Sequence, residues 1–341
     1  MNMKKFLLFT ISLLLGLCLI VLICQKIDLR GVFLRFGFLT WIQILVLFLL
    51  TFIKIIVWVI RWKMILRSMG FSQLPFRNLF SARLGEIAFS HLIPGVFWGG
   101  ELVRLFALKK NTKVPLSQGL VSVVSERIIE IISFGIFAFF GVLILIFRQN
   151  LLGALFYILI SAFSLIAFFL IFRLLKSEKI SSLIKFLHLD KIKFFSQSSA
   201  MNLVGKVGFI CEEIINFFKN MPQIVFWGII LSCSGYIIDA VQIVLFVRFL
   251  GEPVAFANAI LVKILIMLSW LVPIPAALGV YEGINVLAFQ EFQLTAETGL
   301  SFALMTRLID FSFVIVGLLI VIYYLTHHFF QISNKNNSHI N

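Results

Sequence analysis

One pattern of residues occurs twice in this chain, and the two copies lie 181 residues apart. Each copy has an Arg-x-x-Gly tetrad, then an Ile-Pro pair, then a glutamate seven residues after the proline. The residues are Arg67, Gly70, Ile93, Pro94 and Glu101 in the first copy and Arg248, Gly251, Ile274, Pro275 and Glu282 in the second. A further match follows at an offset of 180, where Gly119, Arg127 and Glu130 correspond to Gly299, Arg307 and Asp310. Internal repeats with hydrophobic segments broken by proline and glycine are typical of transporters, and the broken segments indicate where the binding site lies.

The composition assigns the chain to the membrane. Hydrophobic residues make up 61% of it and charged residues only 13%, which is too little polar surface to cover a soluble globule. The net charge is +14, but the basic residues form short clusters beside apolar runs, where they set orientation and contact anionic lipid headgroups. We therefore expect an integral membrane protein that contacts membrane lipids and does not bind nucleic acid.

Six apolar segments are long enough to span a bilayer. They cover approximately residues 6–24, 38–60, 119–147, 151–174, 223–250 and 299–325. Between them lie two pairs of shorter stretches, 79–93 with 96–108 and 256–272 with 278–289. The residues that interrupt the apolar stretches at or just after the predicted turns are Pro94, Gly95 and Gly100 in the first pair and Pro273, Pro275 and Gly279 in the second. Arms this short hardly cross a bilayer, so each pair is predicted to form a re-entrant helical hairpin.

The distribution of lysine and arginine predicts the topology. Placing the N-terminus inside puts most basic residues in the cytoplasm, including Arg61, Lys63, Arg67 and the lysine-rich loop at 176–222. The same topology puts the C-terminus inside and runs the two copies in opposite directions. The predicted fold is therefore an all-α polytopic protein of the cytoplasmic (inner) membrane, with about six full spans and two re-entrant hairpins arranged as an inverted repeat.

The predicted organisation is a single membrane domain over residues 1–341. Repeat A covers about 38–147 and repeat B about 223–326, and a short tail follows at 327–341. The cytoplasmic loop at 176–222 mixes lysines with apolar residues at helical spacing, which predicts interfacial helices at 181–195 and 201–219.

Ionisable residues inside the apolar segments are the main site candidates, because a charge in the bilayer needs a partner or a wet cavity. Arg127 with Glu130, and Arg307 with Asp310, are spaced three residues apart, which predicts two ion pairs that either fix packing or also line a pathway. Glu101 and Glu282 are predicted in the first turn of the second hairpin arms, where each also complements the helix dipole, and Arg104 lies one turn beyond Glu101. The weaker candidates are His91, interpreted as a hydrogen-bonded structural residue, Lys54 and Lys263, interpreted as lysines that reach the membrane interface, and Asp239, a candidate for pairing with an arginine.

The sequence contains no nucleotide-binding loop, no His-Glu-x-x-His and no Gly-x-Ser-x-Gly motif. Its four cysteines lack the spacing of a metal site. We therefore predict no catalytic residue, no cofactor and no metal site, and an enzymatic role stays undecided.

Three motifs resemble the family of the lysylphosphatidylglycerol synthase transmembrane region, also described as flippase-like. They are Ile-Pro-Gly-Val-Phe-Trp-Gly-Gly-Glu-Leu-Val-Arg at 93–104, Ser-Glu-Arg-Ile-Ile-Glu at 125–130, and Pro-Ile-Pro-Ala-Ala-Leu-Gly-Val-Tyr-Glu at 273–282 followed by Arg307. The resemblance assigns site roles to Pro94, Gly100, Glu101, Arg104, Glu126, Arg127, Pro275, Gly279, Glu282 and Arg307. Two departures stand out: Ala276 and Ala277 replace the usual glycines, and Glu130 stands where the family more often has aspartate.

The resemblance implies movement of lipids or lipid-linked precursors between leaflets, and some family members carry an aminoacyltransferase domain, which is not recognised within these 341 residues. We predict flippase-like transport of a lipid with an anionic, phosphate-bearing headgroup. Arg104, Arg127 and Arg307 attract the headgroup in this hypothesis, while Glu101, Glu130, Glu282 and Asp310 hold the arginines and relay protons. Two alternatives stay open: the membrane subunit of a lipid-modifying enzyme with a separately encoded glycosyltransferase or aminoacyltransferase, and a scaffold for envelope lipid biosynthesis. The sequence leaves the oligomeric state open.

Overall fold

The computed structural model describes residues 3–92, 100–148, 151–176, 200–272 and 274–337, and within these ranges every regular element is helical. The α-helices are α1 (Met3–Lys26), α2 (Leu29–Gly37), α3 (Trp41–Ser68), α4 (Phe76–Leu92), α5 (Glu101–Asn111), α6 (Leu116–Phe147), α7 (Leu151–Lys176), α8 (Ala200–Asn220), α9 (Pro222–Phe249), α10 (Phe256–Met267), α11 (Val280–Glu291) and α12 (Ala296–Asn337). Two short 3₁₀ turns, Leu268–Leu271 and Pro275–Ala277, lie between α10 and α11.

Five of the helices contain stretches long and apolar enough to cross a membrane. These stretches are Trp41–Ser68, Leu116–Phe147, Gly153–Leu170, Pro222–Phe249 and Ala296–Tyr323, and they agree with five of the six predicted spans. The chain is therefore a multi-pass helical membrane protein.

The sixth predicted span, at 6–24, lies within α1. Thr10–Lys26 of α1 and Leu29–Gly37 form a bent pair whose axes meet at 85°, and the two arms together are long and apolar enough to count as one further span. Helix α2 was not predicted from the sequence. It begins after Asp28, whose carboxylate accepts a hydrogen bond from the Arg30 amide at 3.0 Å. Arg35 at the end of α2 donates to the hydroxyl groups of Thr295 and Thr298 at 2.8 and 3.1 Å, so these polar contacts hold α2 against the start of α12.

The helices form two compact units, and the chain passes between them more than once. The first unit comprises Met1–Ile55, Pro75–Leu108 and Ile238–Asn341, and the second comprises Ile56–Leu74 and Lys109–Ile237. Three of the boundaries fall within α3, α5 and α9, so each of these helices contributes residues to both units.

In the first unit, α12 packs against α2, α4 and α11. The approach to α4 is close, because a Cβ atom added at Gly317 would lie 2.2 Å from the Leu84 carbonyl oxygen. Helix α1 crosses the turn before α11 equally closely, since a Cβ at Gly279 would lie 2.4 Å from the Gly16 carbonyl oxygen. The second turn, Pro275–Ala277, also packs against α4, so elements of both predicted hairpins meet in this unit.

The short helices agree with the predicted hairpin arms. Helices α4 and α5 correspond to the first pair, and α10 and α11 to the second. Pro94, Gly95 and Pro273 lie outside the described residues, and a re-entrant path through the membrane stays a prediction. The turn before α11 has an unusual backbone, because Ala276 and Ala277 adopt left-handed φ angles of 51° and 50°, followed by Gly279 at 76°.

In the second unit, α6 packs against α7 and α8. A buried cluster of Ile65, Ile129 and Phe217 joins α3, α6 and α8. The predicted amphipathic segment at 201–219 is thus a helix, and part of its apolar face is covered by protein. The other predicted interfacial helix, at 181–195, lies outside the described residues.

The repeated Arg-x-x-Gly tetrad forms the same local structure in both copies. Helices α3 and α9 each have 28 residues, and both their first and last residues are 181 positions apart. Gly70 and Gly251 follow these helices with φ angles of 94° and 81°, and their amides donate to the carbonyl oxygens of Arg67 and Arg248 at 3.1 and 3.0 Å. The glycine of the tetrad is therefore a left-handed helix C-cap, a conformation that costs glycine little.

Candidate functional site

The first unit contains a buried ion pair between α11 and α12. Arg307 Nε donates to Glu282 Oε1 at 2.9 Å, and both side chains are buried. The other carboxylate oxygen of Glu282 accepts from the Gly279 amide at 2.8 Å. Glu282 therefore connects the strained turn before α11 to α12, and its position in the first helical turn agrees with the sequence prediction.

Tyr281 lies beneath the guanidinium group of this pair. The Arg307 Cζ atom is 4.7 Å from the centroid of the Tyr281 ring, and the tyrosine hydroxyl shares a hydrogen bond of 2.9 Å with Thr306 Oγ1. A cation over an aromatic face gains electrostatic stabilisation, most of all where water is excluded. We name Gly279, Tyr281, Glu282, Thr306, Arg307 and Asp310 the Arg307 site.

The Arg307 site has hydrogen-bonding capacity that no described residue uses. Arg307 is 8% exposed, yet its Nη2 has no hydrogen-bond partner in the described part of the chain. One turn along α11, the fully buried Asn285 donates to the Tyr281 carbonyl, while its Oδ1 has no described partner. A buried donor or acceptor without a partner costs about 1–3 kcal/mol, so these atoms mark a place where a ligand or water would be stabilised.

Asp310 does not pair with Arg307, contrary to the prediction from their spacing. Arg307 uses Glu282 instead, and Asp310 forms no hydrogen bond or ion pair with any described residue. The Asp310 carboxylate is half-buried and attracts the ammonium group of Lys54 from a longer distance.

A second cluster in this unit joins three helices through one aspartate. Lys54 Nζ on α3 lies 2.7 Å from Asp239 Oδ1, and Lys263 Nζ on α10 lies 2.6 Å from Asp239 Oδ2. We name these residues the Asp239 triad. The prediction that both lysines reach the interface is wrong, as is the pairing of Asp239 with an arginine, because two ammonium groups already satisfy its oxygens.

The first hairpin contributes a third cluster, of which Glu101 and Arg104 were predicted from the sequence. Glu86 on α4 accepts from Arg83 Nη1 at 2.7 Å and lies 3.3 Å from Arg104 Nη1 on α5. Glu101, the first residue of α5, is also buried. Gly100 permits this packing, since a Cβ there would lie 2.2 Å from the Glu86 carbonyl oxygen. His91 Nδ1 lies 2.9 Å from the Ile87 carbonyl, in agreement with its interpretation as a hydrogen-bonded residue.

The second unit has its own charge cluster, centred on Arg61. Arg61 is 1% exposed and contacts the carboxylates of Glu126 at 2.7 Å and Glu130 at 2.5 Å and the hydroxyl of Ser232 at 2.6 Å. Glu130 also contacts Arg127 Nη1 at 2.5 Å, so the pair indicated by the spacing is present. Arg127 is the more accessible arginine, with 27% of its side chain exposed.

Three charged members of these clusters were absent from the predicted site. Arg61 was counted with the cytoplasmic residues, although it is buried, and Arg83 and Glu86 were overlooked. The spacing of Arg83 and Glu86 is the same as that of Arg127 and Glu130, so this signal was available in the sequence. The burial of Arg61 could be recognised only from the structure, because basic residues at the cytoplasmic end of a span are usually solvated. In the described residues no group of three or more His, Cys, Asp or Glu side chains is arranged to hold a metal ion.

Comparison with known proteins extends the resemblance to most of the chain. Residues 9–317 match the family model described as the lysylphosphatidylglycerol synthase TM region. A UPF0104 membrane protein of Methanocaldococcus jannaschii is 25% identical over 79% of this chain and 80% of its own length. Two UPF0104 membrane proteins of Methanothermobacter thermautotrophicus are 22% and 23% identical, over 79% and 81% of this chain and 81% and 82% of their own lengths. No solved structure gives a significant match.

Proposed function

Because this chain belongs to the family of the lysylphosphatidylglycerol synthase transmembrane region, we propose that it moves a phosphate-bearing lipid or lipid-linked precursor between the leaflets of the cytoplasmic membrane. The observation that carries this proposal is the buried Arg307 guanidinium, whose Nη2 donor has no hydrogen-bond partner among the described residues of a multi-pass helical protein. A phosphate oxygen is the acceptor that a guanidinium group binds best.

The cost of burying charge supports a pathway in the first unit. An arginine or aspartate at the centre of a membrane helix costs roughly 2.5–3.5 kcal/mol on insertion scales. The unit nevertheless places the Arg307 site and the Asp239 triad among apolar helices, and one buried polar atom of the site has no described partner. If the site served packing alone, an apolar residue or a paired group in place of this atom would make the protein more stable. A transport site needs the atom free to bind a headgroup.

The break before α11 supplies a place for movement. Broken helices near the centre of a membrane protein present helix N-termini and free backbone groups to a substrate. Helix α11 begins at such a break, with Glu282 in its first turn beside Arg307. We propose that the two copies are inverted with respect to each other, that both termini are cytoplasmic, and that the lipid headgroup passes the Arg307 site while its acyl chains stay in the bilayer.

The second unit is proposed to have an accessory role. Arg127 is partly exposed, and Glu130 links it to the buried Arg61. A partly exposed arginine fits the recruitment of a phosphate better than a fully enclosed one does.

A membrane subunit of a lipid-modifying enzyme is the second candidate, because the family model is described as part of a synthase. In that case a separately encoded glycosyltransferase or aminoacyltransferase would act on a lipid presented by this chain. Co-purification of such an enzyme, together with headgroup modification that depends on both proteins, would favour this candidate.

The test is leaflet exchange by the purified full chain in liposomes that contain acyl-labelled phospholipids or polyprenyl phosphates. We expect exchange by the native protein and a loss of at least about tenfold for Arg307→Gln, because each 1.4 kcal/mol of lost binding is a factor of ten. Arg248→Gln, which changes an exposed arginine in the same unit, is the matched control and should exchange lipid normally. Native exchange that Arg307→Gln leaves unchanged would remove the site from the proposal, and folded native protein without any exchange would favour the enzyme subunit.

A further inference from the structure

Two charged side chains on one face of α12 do not pair with each other. Arg307 and Asp310 are three residues apart, so their side chains leave the helix on the same side. Arg307 is committed to Glu282 through Nε, which leaves the buried Nη2 without a described partner. Asp310 makes no hydrogen bond or ion pair with the described residues. Arg307 therefore offers a cationic donor and Asp310 an anionic acceptor, and the two do not bond to each other.

The surroundings of these two groups are balanced in charge. The Arg307 site and the Asp239 triad together contain three cations and three anions, namely Lys54, Lys263 and Arg307 against Asp239, Glu282 and Asp310. A headgroup with a net negative charge would leave one charge uncompensated in a poorly solvated space, which is costly. A headgroup that carries one negative and one positive charge would preserve the balance.

Tyr281 lies near both the Arg307 guanidinium and the carboxylates of Asp310 and Asp239. Its ring supports the Arg307 guanidinium at 4.7 Å, and it also lies within electrostatic range of Asp310 and Asp239. The Cβ atoms of residues three positions apart on a helix are about 5–6 Å from each other. A phosphate and an ammonium group joined by two carbons can bridge side chains at this spacing.

From this geometry we propose that the Arg307 site takes a zwitterionic headgroup, with its phosphate on Arg307 Nη2 and its primary ammonium group on the Asp310 carboxylate. The proposal refines the anionic headgroup expected from the sequence. It rests on the proposed function only for the statement that the ligand is a lipid. Asp310 is then the residue that distinguishes amine-bearing phospholipids from purely anionic ones.

Binding is measured on the purified full chain in detergent by isothermal titration calorimetry, as the ligand concentration that half-saturates the protein. The probes are short-chain phosphatidylethanolamine, short-chain phosphatidylglycerol and free phosphoethanolamine. We expect the ethanolamine lipid to half-saturate the native protein at a concentration about tenfold lower than the glycerol lipid, the size of effect that a charge-assisted hydrogen bond produces. Equal concentrations, or a preference for the glycerol lipid, would overturn the proposal without the use of any variant.

Variants identify the residue responsible. Asp310→Asn should erase the preference by weakening only the ethanolamine lipid, Asp310→Glu should retain it, and Arg307→Gln should weaken both lipids. Glu291→Gln neutralises an exposed carboxylate at the end of α11 and serves as the matched control, with the preference unchanged. A preference that persists in folded Asp310→Asn protein would contradict the assignment of the ammonium group to Asp310.

Two further comparisons separate this proposal from the proposed function. Phosphoethanolamine that binds as tightly as the lipid would overturn the lipid assignment in favour of a free metabolite. In liposomes, exchange of both lipids at equal rates would overturn the headgroup assignment and leave transport standing. Selective binding without any exchange would support the headgroup assignment and contradict transport.

Discussion

Glu282 connects two structural elements through its two carboxylate oxygens, because Oε1 accepts from Arg307 Nε at 2.9 Å and Oε2 accepts from the Gly279 amide at 2.8 Å. The backbone of the turn before α11 and the charged face of α12 are therefore held by one side chain. Movement of either element changes the environment of the other, which is the property a gated binding site needs.

Removal of this carboxylate leaves Arg307 as an unpaired buried charge. We expect Glu282→Gln to lower the free energy of unfolding by about 3 kcal/mol or more, the usual cost of breaking a buried pair from one side. Thermal unfolding in detergent measures the change. The double variant Glu282→Gln/Arg307→Gln should recover most of the stability without recovering lipid exchange. If the double variant also exchanged lipid normally, the pair would have only a packing role.

The Asp239 triad predicts an asymmetry among its three members. Asp239→Asn removes the partner of two ammonium groups, whereas Lys54→Met or Lys263→Met leaves the carboxylate with one lysine. We expect Asp239→Asn to lower the unfolding temperature more than either lysine variant, since it leaves the larger unpaired charge in an apolar environment. Equal or reversed effects of the three variants would show that the shared contact is not what stabilises α3, α9 and α10.

The two arginines near Glu130 should differ in their contribution to stability. Arg61 is 1% exposed and contacts two carboxylates, so Arg61→Met should cost about 3–5 kcal/mol. Arg127 is partly exposed, and Glu130 keeps its contact with Arg61 when Arg127 is removed, so Arg127→Met should cost no more than about 1 kcal/mol. Unfolding of both variants under the same conditions tests this difference, and a larger loss for Arg127→Met would contradict it.

Ala276 and Ala277 occupy conformations that favour glycine. Each left-handed alanine costs roughly 1–2 kcal/mol relative to the right-handed region, so Ala276→Gly and Ala277→Gly should each raise stability by up to about 1 kcal/mol. Ala288→Gly, in the middle of α11, is the control and should lower stability by about 1 kcal/mol. A destabilising effect at all three positions would argue against the left-handed turn.

Gly279 and Gly283 allow a matched comparison of two glycines within one turn of each other. Gly279 has a φ of 76°, and an added Cβ would lie 2.4 Å from the Gly16 carbonyl oxygen, so Gly279→Ala should cost more than about 2 kcal/mol. A Cβ at Gly283 meets only the flexible Ile23 side chain at 3.5 Å, so Gly283→Ala should be neutral or stabilising in a helix. Unfolding temperatures distinguish the two, and tolerance of alanine at Gly279 would show that α1 does not cross the turn this closely.

The positions of most helices could be predicted from the sequence, because the length of an apolar segment and its proline or glycine breaks are local features of the chain. The segments 38–60 and 223–250 became α3 and α9, and the glutamates at 101 and 282 lie in first helical turns as expected. The bend after α1 was missed, since its cause is a short polar segment beginning at Asp28 whose helix is held by the distant Thr295 and Thr298. The spacing of three residues also predicted an ion pair between Arg307 and Asp310, whereas Arg307 pairs with Glu282 from another helix.

Composition, residue spacing and the repeated motifs identify a multi-pass helical membrane protein of a recognisable family, with two matched copies and charged residues in its apolar segments. Hydrophobic length and residue spacing are properties of the chain, so they can be read without coordinates. The packing of the helices in the folded protein selects which charges meet. It paired Lys54 and Lys263 with Asp239, enclosed Arg61 between two glutamates, and left Arg307 Nη2 and Asp310 without direct described partners. In an apolar interior, a charge pairs with the opposite charge that helix packing brings within reach, and packing depends on contacts between residues far apart in the chain.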